Sequence, residues 1–199
     1  MNKYFNITTP IYYPSAKPHM GHAYSSIVSD VIARFKRLDG YNVEFLTGTD
    51  EHGLKIQRAA EKRGVDPKKF CDEISKTFRD LSKTLNLSNT DFIRTTEERH
   101  IKSVQNLWKI LEEKDEIYLS KYSGWYSVSD EAFYSENEIK NENGINLSVI
   151  SGSKVEWVEE ESYFFKLSKW QNKLLKFYDE NPKFILPKSR RNEVVSFVK

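Results

Sequence analysis

The chain has 199 residues, 38% of them apolar and 30% charged, enough for one substantial core or for one domain carrying a smaller insertion. Its 12 Phe, 11 Tyr and 4 Trp exclude a disordered polymer, and 31 Lys and Arg against 29 Asp and Glu exclude a nucleic-acid surface built on bulk charge. The start, Met1 to Asn6, lacks a signal peptide's apolar region and no apolar run approaches membrane-spanning length, so the expected compartment is the cytoplasm, with no membrane partner.

Tyr4 to Thr8 reads as a strand, closed off by Pro10, Pro14 and Pro18, which suit neither a central strand nor a helix interior. A helix is expected from about His22 to Leu38. Ile27, Val28, Val31, Ile32, Phe35 and Leu38 form its apolar stripe, and Gly40 its stop. Val43 to Thr47 is a second strand, followed by the turn Gly48 to Gly53 and a helix through Arg63. Asp66-Pro67 caps the next helix, which carries Phe70, Ile74, Phe78, Leu81 and Leu85. Cys71, the only cysteine, lies in that helix and reads as a buried thiol; alone, it can form neither an intrachain disulfide nor a Cys-based zinc cluster.

Asp91 to Arg94 is a short strand. Thr95 and Glu98 have capping-box spacing for a helix carrying Ile101, Val104, Leu107, Trp108 and Leu111. From Ile117 to Phe165 aromatic and β-branched residues dominate, broken by Gly124, Gly144 and Gly152, as in a small antiparallel insertion. Helical spacing returns at Leu167, Trp170, Leu174 and Phe177, and a last helix is expected near Ser189.

The alternation of strand and helix predicts an α/β fold with a doubly wound parallel sheet, in which ligands bind beyond the C-terminal ends of the strands. The polar clusters around His19 and Asp50 both fall there. His19-Met20-Gly21-His22 joins a Pro-rich turn to a helix start, where unpaired N–H groups attract phosphate. Two imidazoles at this spacing can share one side of the helix end and donate to phosphate oxygens. Gly21 lets a base or ribose approach the backbone. A lone His-x-x-His fits helix capping or a metal pair equally well. The strand–turn–helix context favours phosphate, and no Cys or third His stands in register for zinc.

The run from Thr8 to Tyr24, with His19-Met20-Gly21-His22 inside it, resembles the first signature of the methionyl-tRNA synthetases. Phe45-Leu46-Thr47-Gly48-Thr49-Asp50-Glu51-His52-Gly53-Leu54-Lys55 is similar to the family's second-strand block. Gly124-Trp125-Tyr126 and Val155-Glu156-Trp157 resemble its insertion. The resemblance implies the first half of a Rossmann-like nucleotide-binding domain over residues 1–114 and a connective insertion over 115–166. Residues 167–199 would be a helical return toward the catalytic domain, truncated before its second half.

It implies that His19 and His22 contact ATP phosphates and stabilise the transition state, with Gly21 under the adenosine. It implies that Asp50 binds the α-ammonium of L-methionine, and that Ile11 and Tyr13 line the methionine pocket. His52 would orient Asp50 or the ligand. By residue type alone, Ile11 and Tyr13 read as ordinary core, and Asp50 reads equally as a cap to the Gly53 turn or as a binding carboxylate. ATP would come with Mg2+, and tRNA(Met) would bind mainly through regions outside this chain.

The chain departs from that pattern in the insertion. Many relatives carry Cys-x-x-Cys after the Gly-Trp-Tyr phrase, whereas Ser127-Val128-Ser129-Asp130 stands here, with Asn146-Leu147-Ser148-Val149 expected opposite. No structural zinc is predicted, and the aromatics Trp125, Tyr126, Phe133, Tyr134 and Trp157 are expected to hold the insertion instead. The second class I signature, Lys-Met-Ser-Lys-Ser, is absent. Lys166-Leu167-Ser168-Lys169 imitates it, but Ser168 reads as an N-cap, and Lys188 to Arg191 reads as a solvated helix start. The 199-residue piece is therefore expected to be inactive or nearly so alone. Two rivals are another nucleotidyltransferase with the same tetrapeptide and a synthetase-like module that only binds a partner.

Overall fold

The computed structural model describes residues 3–199. Its first sheet is parallel, in the order β1 (Lys3–Thr8), β2 (Tyr41–Thr49), β3 (Asp91–Arg94). Lys3 pairs with Tyr41 and Thr8 with Leu46; Leu46 pairs in turn with Asp91 and Thr49 with Arg94. Alternation along β2 puts Val43, Phe45, Thr47 and Thr49 on one face, all buried.

Both crossovers cover that face, as successive right-handed connections stepping in one direction require. Helix α1 (Met20–Leu38) joins β1 to β2 and packs Ala33 on Val43 and Phe45. After β2 come α2 (Leu54–Lys62) and α3 (Pro67–Thr84). Phe70, Ile74 and Phe78 of α3 pack with Ile56, Ala60, Phe92 and Tyr12 in a second cluster. Asp66 caps α3 through Lys69 N–H at 3.1 Å, with Pro67 at the first helical position. Truncating fully buried Phe45 or Phe78 to Ala would cost about 3–5 kcal/mol by lost burial and the cavity left.

Helix α1 departs from the expected orientation. Its buried residues are Ala23, Ser26, Asp30 and Ala33, small or hydrogen-bonded, at spacings that trace one narrow face. Asp30 accepts from Arg34 and from the Ser88 amide and hydroxyl, each at 2.6 Å, which ties α1 to the loop before β3. The apolar stripe Ile27, Val28, Val31, Ile32, Phe35 and Leu38 is exposed. Periodicity located a stripe, but small residues let the helix approach the sheet on another side.

Helix α4 (Glu98–Glu113), by contrast, buries none of its residues, and its N-cap is Glu97. Thr95 forms no capping box; its hydroxyl accepts from the Glu51 amide at 2.8 Å instead.

The β-rich segment that follows contains β4 (Ile117–Ser127), β5 (Ala132–Tyr134), β6 (Ile139–Glu142), β7 (Ile145–Ser148) and β8 (Glu156–Phe165). Long β4 pairs antiparallel with β8 and β5, and β6 with β7. Aromatic contacts cross the pairs: Trp125 meets Trp157 edge-on at 5.4 Å, and Phe133 meets Tyr122 at 4.6 Å and Tyr126 at 4.8 Å.

A polar hub adds to these aromatics. The Asp130 carboxylate accepts from Tyr134 Oη at 2.9 Å, Ser151 Oγ at 2.5 Å and Ser153 Oγ at 2.9 Å. Its own amide donates to Ser127 Oγ at 3.2 Å. Ser148 Oγ accepts from the amides of Ile150 and Ser151, and both Ser127 and Ser148 are fully buried. Asp130 is thus faced by Ser151 and Ser153, just beyond the expected 146–149 stretch.

The chain ends with α5 (Gln171–Glu180) and α6 (Lys188–Val198). Ser168 lies inside a 3-10 turn, Leu167–Trp170, and caps nothing; the N-cap of α5 is Trp170, without a side-chain bond. Among the described residues no helix is long and apolar enough to cross a membrane.

Candidate active site

Beyond the C-terminal end of β1 the backbone stays extended for one more contact. Tyr12 N–H donates to Gly48 O, and Asp50 N–H to Tyr12 O, each at 2.9 Å. Alternation then decides which side chains face which way. Tyr12 turns into the core, stacking on Phe78 at 5.6 Å, with its hydroxyl 2.8 Å from Ser25 Oγ and 2.9 Å from Ser26 Oγ. Ile11 and Tyr13, on either side, are each 40% exposed, so the ordinary-core reading of these two fails.

His19 and His22 form a reciprocal cap on α1. His19 Nδ1 accepts from the Gly21 amide at 3.1 Å, and His22 Nδ1 accepts from the His19 amide at 3.0 Å. Their rings lie 3.9 Å apart, and His22 also packs edge-on against Tyr12 and Phe78. Burial lowers the His22 pKa, and the neighbouring His19 charge adds to that. Neutral rings whose Nδ1 atoms accept must carry their protons on Nε2, so each can still donate outward. Capping and phosphate donation are therefore compatible roles. Gly21 is needed for the cap itself, because a Cβ there would stand 2.9 Å from His19 Cε1.

Asp50 follows the last residue of β2. None of the hydrogen bonds among the described residues uses its carboxylate, and it is half-buried. The turn that carries it is held by its neighbour. Glu51 is buried and accepts from Arg94 Nε at 2.7 Å and Nη2 at 2.9 Å, from Thr49 at 2.7 Å and from Thr96 at 2.5 Å. Burial pushes the Glu51 carboxyl up, but hydrogen bonds from Arg94, Thr96 and Thr49 outweigh it and hold the pKa below its ordinary value. Arg94 also reaches Asp72 at 2.5 Å. His52 is exposed, with Nε2 3.4 Å from Thr95 O, and makes no hydrogen bond to Asp50. Gly48 permits the strands' closest approach, since a Cβ there would stand 2.0 Å from Ile93 O.

The structure thus gathers Ile11, Tyr13, His19, Gly21, His22 and Asp50 around one strand-end shelf, through Tyr12, which touches both His22 and the Asp50 backbone. Sequence reasoning missed Tyr12, although alternation between Ile11 and Tyr13 marks it for the opposite side. It also missed Glu51, whose partners Arg94 and Thr96 lie far along the chain. A cleft of about 710 Å³ opens nearby between α2 and the β-rich segment, lined by Ser15, Lys55, Arg58, Lys62, Arg63 and Lys154. It contains none of the shelf residues, so this cleft and the predicted site are distinct.

Fold and site together define a Rossmann-like α/β half-domain with an antiparallel insertion, with a paired-histidine helix start and a carboxylate at adjacent strand ends. The chain belongs to the class I tRNA synthetase family: the family described as "tRNA synthetases class I (M)" matches residues 5–145.

The chain is 57% identical over its whole length to the methionine–tRNA ligase of Rickettsia bellii, covering 38% of that protein. It is 52% identical to the Listeria monocytogenes enzyme of the same name, with 98% of this chain and 30% of that protein covered. Mycobacterium tuberculosis methionyl-tRNA synthetase in complex with methionyl-adenylate matches with a TM-score of 0.92 and 50% identity, over 100% of this chain and 39% of that one. The apo form of that synthetase gives a TM-score of 0.75 and 46% identity, over 100% of this chain and 37% of that one. The chain therefore spans less than two-fifths of the length of these relatives.

Proposed function

We propose that the complete protein activates L-methionine with ATP and transfers it to tRNA(Met), and that residues 1–114 supply the first half of its catalytic domain, with 115–166 as a connective insertion. The methionine carboxylate attacks the α-phosphorus of ATP, the bond to the β-phosphate oxygen breaks, and pyrophosphate leaves. The terminal adenosine hydroxyl of the tRNA then takes the methionyl group and AMP departs. Mg2+ enters with ATP, held by phosphate oxygens as hard cations are.

His19 and His22 donate from Nε2 to the phosphates as negative charge builds, a task of electrostatic stabilisation and not proton transfer. Asp50 holds the α-ammonium, a charge-assisted bond that its unpaired carboxylate suits. Ile11 and Tyr13 offer an exposed apolar wall to the thioether. Gly21 leaves backbone room beside the adenosine, and His52 borders the same turn. The observation that carries this reading is the meeting of the paired-histidine helix start with a free carboxylate at neighbouring strand ends. The names of the relatives support methionine as the amino acid.

Methionine-dependent ATP–pyrophosphate exchange by the complete gene product tests it. Exchange with methionine and none with leucine is expected, and Asp50→Ala should lower kcat/KM by about 100-fold or more, as loss of a buried-site charge pair does. Exchange that does not depend on methionine would reject the assignment.

A further inference from the structure

Tyr12 is buried and faces the core, yet it joins the two ends of the shelf. As apolar filling, a phenylalanine would serve, since the ring stacks on Phe78 at 5.6 Å with or without a hydroxyl. A buried phenol needs a partner for that hydroxyl, and the partners lie on the first turns of α1. Tyr12 Oη is 2.8 Å from Ser25 Oγ and 2.9 Å from Ser26 Oγ. Ser25 Oγ in turn donates to His22 O at 3.2 Å. One proton order uses each hydroxyl once as donor: Ser26 to Tyr12, Tyr12 to Ser25, Ser25 to His22 O. The hydroxyl chain therefore ends on the backbone of the residue whose imidazole meets the Tyr12 ring edge-on at 4.9 Å.

His22 is thus held at both ends by one neighbour. The Tyr12 ring limits the swing of the imidazole, and the hydroxyl chain fixes the turn from which it projects. His19 follows, because its amide donates to His22 Nδ1. The Tyr12 backbone makes a third arm: its N–H donates to Gly48 O and its carbonyl accepts from Asp50 N–H, each at 2.9 Å. A donor that meets charge as it develops is most effective when it is already in place and has no reorganisation left to do.

We infer that Tyr12 is a positioning residue, a clamp that sets the His22 imidazole at a fixed distance from the Asp50 strand end and so aligns the histidine pair on the phosphates. The inference rests on the methionine-activating reading given above. The side-chain arms act through His22 and govern the rate of the chemical step. The backbone arm survives a side-chain replacement and keeps the methionine end where it is.

Exchange kinetics on the complete gene product separate this role from core filling. The set is wild type, Tyr12→Phe, His22→Asn and the double variant. Tyr12→Phe should lower kcat about tenfold, the equivalent of one hydrogen bond, while KM for methionine stays within about twofold. His22→Asn keeps an acceptor for the His19 amide but has no Nε2 donor. In that background Tyr12→Phe should lower kcat by less than about twofold, because the clamp has no imidazole left to aim. A tyrosine that only filled the core would reduce the folded fraction, and its loss would multiply through both backgrounds alike.

Equal losses from Tyr12→Phe with and without the His22 imidazole would overturn the inference, as would a Tyr12→Phe kcat within about twofold of wild type. If Tyr12→Phe fails to fold, Ser25→Ala carries the same comparison in the two backgrounds, since it cuts the hydroxyl chain before His22 O and leaves the core ring in place. A wild-type protein without methionine-dependent exchange would reject the functional reading itself, whereas normal wild-type exchange with equal losses in both backgrounds rejects only the clamp.

Discussion

At Glu51 a single carboxylate, 4% exposed, decides where Asp50 stands. Two Arg94 nitrogens and two threonine hydroxyls satisfy it, so its burial cost is met by geometry. Replacing Glu51 takes away the main counter-charge of the half-buried Arg94. Glu51→Gln should therefore destabilise the fold by about 3–5 kcal/mol in a denaturant titration, although Asp72 still holds one edge of Arg94. A loss below about 1 kcal/mol would show that the turn is held by its backbone contacts instead. The sequence gives no hint of this pair, since nothing local separates Glu51 from its acidic neighbour Asp50. What separates them is the position of Arg94 at the end of an adjacent strand, a matter of register.

At the scale of elements, the insertion shows two kinds of cohesion. The aromatic contacts across β4, β5 and β8 were legible from composition and spacing. The Asp130 hub was not, because serines and one aspartate in loops read as solvated turn residues until the chain brings 127–130 against 148–153. Hydrogen bonds from Ser151, Tyr134, Ser153 and Ser127 hold the Asp130 carboxyl at a pKa of about 2, against an ordinary 3.8. A depressed carboxylate contributes stability above its unfolded pKa and loses it as pH falls through the folded one. The hub should thus be intact above about pH 4 and fade toward pH 2, and Asp130→Asn should flatten that limb of an acid unfolding curve. An unchanged acid limb in the variant would mean that other carboxylates set it.

Capping signals show the same division between near and far. Asp66-Pro67 acts locally and is where the sequence placed it. Thr95 was read as a local cap, but its hydroxyl is drawn to the Glu51 amide in the next strand's turn, a tertiary contact that outcompetes the helix end.

Over the whole molecule, the parallel α/β sheet followed from the alternation of strand and helix and from resemblance, while the orientation of α1 did not. Ala23, Ser26 and Ala33 face the sheet and leave Ile27, Val31, Phe35 and Leu38 outside. An apolar patch of this kind marks a contact surface. Residues 1–199 expressed alone should self-associate and bind an apolar dye, and Ile27→Glu with Val31→Lys should reduce both. Sedimentation that is monomeric and unaffected by the pair would show that the stripe is tolerated in water.

Cys71 adds a consequence of a different kind. Its thiol is buried under α3, 3.8 Å from Glu51 O, with burial raising its pKa to about 11. Only the thiolate reacts with alkylating reagents, so the folded chain is doubly protected, by access and by protonation. Because it is the chain's single thiol, its rate of modification reports how often α3 lifts from the sheet. The protein carries a built-in clock for the opening of the layer that supports Asp50, readable without adding a label.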